Sequence, residues 1–188
     1  MAENEFQAAV SEGILSLAQD MKAILRIWED PEIDEEGRVL LAGALIHVIS
    51  GHNAIPGQRG ILAHLGDVLV LRLALERVEK TNPEAIARHR EDSPEFFGPI
   101  DGQLAATRAY LGELLTVLDG AVDGCAKLNH QGHTPQQCIE GDGANWLYDT
   151  VQEAVLELEL DDDEVHREVK NVARIVPHLE SRVAAMKA

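Results

Sequence analysis

The chain has 188 residues, 45% of them apolar, enough for one domain to build a core without disulfide or metal staples. Its formal net charge is −17. Such an excess opposes binding to nucleic-acid phosphates and anionic membrane surfaces, and it favours solubility and basic partners.

The first residues, MAENEFQAAV, contain neither a basic n-region nor an apolar h-region, so no signal peptide is expected. The longest charge-free apolar run, Val39 to Ile49, is far shorter than the roughly 20 residues that span a bilayer. A soluble, cytoplasmic protein is expected. Two cysteines do not make a disulfide-dense secreted scaffold.

Phe6, Val10, Ile14, Leu17, Met21, Leu25 and Trp28 recur at spacings of three and four, which is one face of an amphipathic helix ending before Pro31. Asp34 can cap a second helix through VLLAGALIHVIS that is apolar nearly all round and therefore buried. The acids Glu32, Asp34, Glu35 and Glu36 at its start are explained by the helix dipole. GHNAIPGQRG, residues 51–60, is a loop in which Gly51, Gly57 and Gly60 permit positive φ. ILAHLGDVLVLRLALERVEK is too long for a strand and reads as a helix, completing a central apolar hairpin.

Residues 81–102 are polar and proline-rich and read as a connector with a short helix after Pro83, pinned by Phe96 and Phe97. Leu104, Leu111, Leu115, Leu118, Val122 and Cys125 form the stripe of one long helix. Residues 126–145 read as a second loop. A further helix starts near Asn145, with a strand as the alternative over LELEL. The last helix carries Val165, Val169, Val172, Val176, Leu179 and Val183, with a kink expected at Pro177. The expectation is an all-α, single-domain helical bundle of about six helices.

Within it, VLLAGALIHVISGHNAIPGQRGILAHLGDVLVLRLALERV, residues 39–78, resembles the YkvA-type domain, a bacterial domain of unknown function. Ser50, Ile55, Pro56 and Asp67 fit the pattern of an apolar helix, a loop close to S-P-I-D-L-I-P-D and a second apolar helix. Asn53 and Gly57 stand where that loop has aspartates, and Gly66 replaces the first of a paired aspartate. The resemblance implies a helix hairpin; since the family's function is obscure, it bears on the fold more than on the activity. Read alone, Asp67 lies in an apolar helix and needs a cationic partner, for which Arg38, Arg59 and Arg72 are the candidates.

Two constellations carry ligand chemistry. Cys125, His130, His133 and Cys138 have the spacing C-x4-H-x2-H-x4-C. Thiolate and imidazole suit zinc and a disulfide would close the same loop, but the leading reading is Cys125 as a free core thiol at a helix end, followed by a polar loop. His47, His52, His64 and Asp67 flank the 51–60 loop and form the alternative metal set, against hydrogen-bonded core histidines. No H-E-x-x-H, G-x-S-x-G or phosphate-loop motif occurs.

The acids Glu153, Glu157, Glu159, Asp161, Asp162, Asp163 and Glu164 crowd one span with no base until Arg167. They are a solvated face or a docking surface for a cationic protein. The leading expectation is a non-enzymatic, acidic helical regulator that docks a protein partner, with a zinc-binding enzyme or sensor and an immunity-type inhibitor of a basic partner as alternatives. The apolar hairpin buries itself either in the core or in a homodimer.

Overall fold

The computed structural model describes residues 1–188 and is helical throughout, without strands. The α-helices are α1 (Ala2–Leu15), α2 (Leu17–Glu29), α3 (Glu35–Ile49), α4 (Ala63–Thr81), α5 (Pro83–Asp92), α6 (Pro94–Leu111), α7 (Thr116–Cys125), α8 (Gly141–Glu157), α9 (Asp162–Val169) and α10 (Ile175–Lys187). Single 3-10 turns lie at Gly60–Leu62, Gly112–Leu115, Gln136–Cys138 and Val172–Arg174. No helix is long and apolar enough to cross a membrane.

The helices are shorter and more numerous than apolar periodicity suggests, and each break has a local cause. The N-terminal stripe is buried as expected, from Phe6 through Trp28. Its helix nevertheless divides at Ser16, whose hydroxyl donates to the Gly13 carbonyl at 3.1 Å. Pro94 begins α6 inside the expected connector, because a proline at the first helical position forfeits no hydrogen bond. The expected long helix over 104–125 is cut at Gly112, where φ is +52°, while its stripe of Leu104, Leu111, Leu115, Leu118, Val122 and Cys125 stays buried. The C-terminal break falls at 170–174, ahead of Pro177, which then occupies the harmless first turn of α10. LELEL is the end of α8 and an extended connector rather than a strand.

One continuous core draws on every helix. Asp34 caps α3 by accepting the Gly37 N–H at 2.7 Å, and its own N–H donates to the Asn82 side chain at 2.9 Å, tying the start of α3 to the end of α4. α3 packs along α4, α1 along α6, and α8 closes over α2 and α3. At Gly43 the backbone of α3 meets that of α7: a Cβ there would overlap the carbonyl of Cys125.

Gly43→Ala tests this approach. Helix propensity alone would make the alanine stabilising by up to about 1 kcal/mol. Overpacking against an immovable carbonyl costs roughly 1–3 kcal/mol. The expected result is net destabilisation, read as a lower urea midpoint at unchanged slope.

Candidate functional site

The electrostatic asymmetry of the surface is concentrated on α8, α9 and the connector between them. From Leu128 to His166 the chain has ten acids, at Glu140, Asp142, Asp149, Glu153, Glu157, Glu159, Asp161, Asp162, Asp163 and Glu164, and no lysine or arginine. All are exposed. None is ion-paired, whereas the arginines elsewhere are drawn to Glu32, Glu76, Glu79, Asp101, Asp119 and Asp123. Asp149, Glu153 and Glu157 follow each other at i, i+4, i+8 along the outer face of α8, opposite the buried Leu147, Val151 and Val155. Leu156 stands beside them, 83% exposed. Asp161 caps α9 by accepting the Glu164 N–H at 2.8 Å, which uses one carboxylate for structure.

The Cys125–Cys138 segment is divided by the fold. Both thiols are free and enclosed in the hydrophobic core. Cys125 Sγ donates to the Ala121 carbonyl at 3.3 Å. Burial pushes Cys125 up to about 12 and Cys138 to about 11, so both are protonated at neutral pH. His130 and His133 instead face each other across a two-residue turn, Gln131 and Gly132, both at positive φ. Each donates its N–H to the other's carbonyl, at 3.0 and 2.9 Å. The His133 ring stacks on Trp146 with centroids 4.1 Å apart. The histidines thus belong to a small aromatic surface cluster and the thiols to the interior.

The second histidine set is resolved into two pairs. His47 and His52 lie together, with ring centroids 5.6 Å apart. His64 Nδ1 stands 3.5 Å from Asp67 Oδ2, one turn apart on α4. No three His, Cys, Asp or Glu side chains gather where one ion could bind them. His47 is buried without a hydrogen bond at Nε2. Burial and the neighbouring His52 hold it neutral, pushed down to about 4. Burial raises the Asp67 carboxyl against the opposing pull of His64. None of the three arginines expected to serve Asp67 pairs with it: Arg38 donates to the carbonyls of Trp28 and Ile139, Arg72 points to α2, and Arg59 is exposed.

That arginine forms the polar cluster that sequence periodicity misses. Arg72 and Asp20 are 4% and 2% exposed, and their Nε–Oδ2 distance is 3.0 Å. Arg72 also donates to the hydroxyl of Ser16 at 3.1 Å and to Gln103 Oε1, and Gln103 donates onward to Glu12 at 2.9 Å. Burial raises the Asp20 carboxyl, and Arg72 pulls the other way. A cleft of about 420 Å³ lies over this cluster, between α2 and the start of α6. Only a charged residue in an apolar stretch hinted at it: Asp20 and Arg72 each interrupt a buried helix face.

Comparison with family models, curated proteins and solved structures returns no match.

Two measurements follow from these geometries. Arg72→Met leaves Asp20 buried without its cation and is expected to lose roughly 3–5 kcal/mol, most of which the double variant Asp20→Leu/Arg72→Met recovers; urea unfolding of the three proteins checks it. For His47, the unfolded ring takes up a proton near pH 6.5 that the folded one refuses until about 4. Its contribution is therefore complete above 6.5 and falls as pH drops toward 4, by about 2–3 kcal/mol. Asp20 and Asp67, with raised carboxyls, slope the other way. The check is thus the difference between wild type and His47→Gln, which should widen above pH 4 and level off near 6.5.

Proposed function

We propose that the protein is a non-enzymatic docking module whose α8–α9 face receives a basic, amphipathic segment of a protein partner. The observation that carries this reading is the run of ten exposed acids without one ion pair, in a protein where Arg77, Arg88, Arg90 and Arg108 are all drawn to carboxylates elsewhere. Unpaired carboxylates repel each other and gain from a cation that relieves them. Leu156 supplies an apolar anchor beside the charges, the pattern of an interface core with a charged rim.

Residues 39–78 enter this reading as a YkvA-like hairpin that holds the frame rather than the contact face, supported by the burial of α3 and α4. The two free, buried thiols support a reducing compartment such as the cytoplasm.

The test uses a lysine-rich amphipathic helical peptide titrated into the full chain. Its affinity should weaken by about tenfold or more between roughly 0.05 and 0.5 M salt. Asp149→Asn, Glu153→Gln and Glu157→Gln combined should flatten that salt slope. Leu156→Ser should weaken binding at every salt concentration while keeping the slope. Binding insensitive to both sets of substitutions would show that the peptide sits elsewhere and would sink the proposal.

A further inference from the structure

One cleft reverses the charge of the rest of the molecule. It holds about 400 Å³ between the 51–60 loop, α7 and α10. Its ionisable side chains are His47, His52 and Arg182, and no aspartate or glutamate lines it. That is exceptional in a chain of net charge −17; the cleft over Arg72, for comparison, contains Glu12, Asp20 and Glu95. The volume lies within the range of small-molecule sites, which combine apolar walls with a few convergent polar groups.

The walls fit that description. Val117, Leu128 and Met186 line the cleft, and Met186 is 55% exposed at its edge. On α7, Gly120 and Gly124 face it at i and i+4, and a Cβ at either would meet nothing within 4 Å. The helix surface is thus left open where any larger side chain would fill the space.

The polar groups are also uncommitted. Arg182 is exposed and takes part in none of the ion pairs of the molecule. His47 is 4% exposed, yet its Nε2 has no hydrogen-bond partner. An unsatisfied buried polar atom costs about 1–3 kcal/mol; because this nitrogen has no solvent contact, a ligand oxygen relieves it only when the ring turns toward the cleft. His52 is tethered through Nδ1 to the Ser50 hydroxyl at 2.6 Å, which leaves the far edge of its ring for an occupant. One fixed cation and two imidazoles match a single negative charge, and a guanidinium fork matches a carboxylate in shape.

We propose that this cleft binds a small amphipathic carboxylic acid, its carboxylate held by Arg182 with the imidazoles of His47 and His52, its apolar tail lying along α7. The site is independent of the acidic docking face and would give the module a small-molecule input.

Octanoate is the probe, titrated into the full-length protein by calorimetry, with octanol and acetate as controls that keep only the tail or only the charge. Octanoate should bind, and both controls should bind at least about tenfold more weakly. Arg182→Gln and His52→Ala lie on the surface and leave the core untouched; each should weaken octanoate by about tenfold. By NMR, the His47 ring, which titrates near 4 in the empty protein, should shift upward by about one unit or more when octanoate is bound. No octanoate binding up to millimolar concentration, equal binding of octanol, or affinity unchanged in both variants would each overturn the proposal. So would zinc binding that His52→Ala abolishes in a protein indifferent to octanoate, which would make the two imidazoles a metal site.

Discussion

The buried pairing of Arg72 with Asp20 is the constraint around which the N-terminal half is arranged. A guanidinium that is 4% exposed must have its donors met, and the chain meets them from two helices and a junction: Asp20 of α2, Gln103 of α6 and the Ser16 hydroxyl between α1 and α2. Gly13 allows the arginine to lie close, since a Cβ there would come 3.3 Å from Nη1. The division of the first helix at Ser16 then has a purpose. A continuous helix would leave this hydroxyl as one more side chain on a stripe; the break sets it where it can accept from α4 while donating to Gly13. Breaking such a pair is costly and replacing it whole is not, so its value is better sought in register: it lets α1, α2, α4 and α6 meet in one arrangement only.

Opposed to this tight interior is a surface on which charge is left unsettled. The same chain that pairs Arg90 with both Glu79 and Asp101 leaves the outer face of α8 without a single cation. Self-repulsion along that face is a standing cost to stability. It is borne by α8 because the helix is held from beneath by Leu147, Val151 and Val155. Interior and surface thus divide the work: the helices that fix the frame are those least available to a partner.

The apolar faces were legible in the sequence because their spacing is a direct image of burial: every residue of the Phe6–Trp28 stripe and of the Leu104–Cys125 stripe is in the core. The Asp34 cap and the positive-φ glycines of the 51–60 loop were legible for the same reason, since each is a local requirement. The break at Ser16 was not, because a stripe stays in phase across a one-residue interruption, nor was the break at 170–174, where Val172 stays buried in a 3-10 turn and keeps the stripe continuous. The start of α6 was hidden by composition: Pro94 in its first turn looks like proline in a connector, and Pro99, which lies inside the helix, strengthens that impression. Of the candidate ligand residues, spacing brought His47 to His52 and His64 to Asp67 but gave no sign of the separation between the pairs. It placed Cys125 correctly at the end of an apolar face, but not His130 and His133 over Trp146, a contact that depends on a two-residue turn.

The contact between Gly43 and Cys125 has a further consequence. The thiol sits at the seam between α3 and α7, protonated and out of reach of solvent. An alkylating reagent can meet it only when that seam parts. The native chain therefore carries a built-in reporter of its own breathing. The rate at which Cys125 is capped, divided by the rate for an exposed thiol, reads the opening equilibrium of the α3–α7 seam without denaturant or ligand. A partner that grips the protein without touching this seam would slow that clock only by holding the whole fold closed.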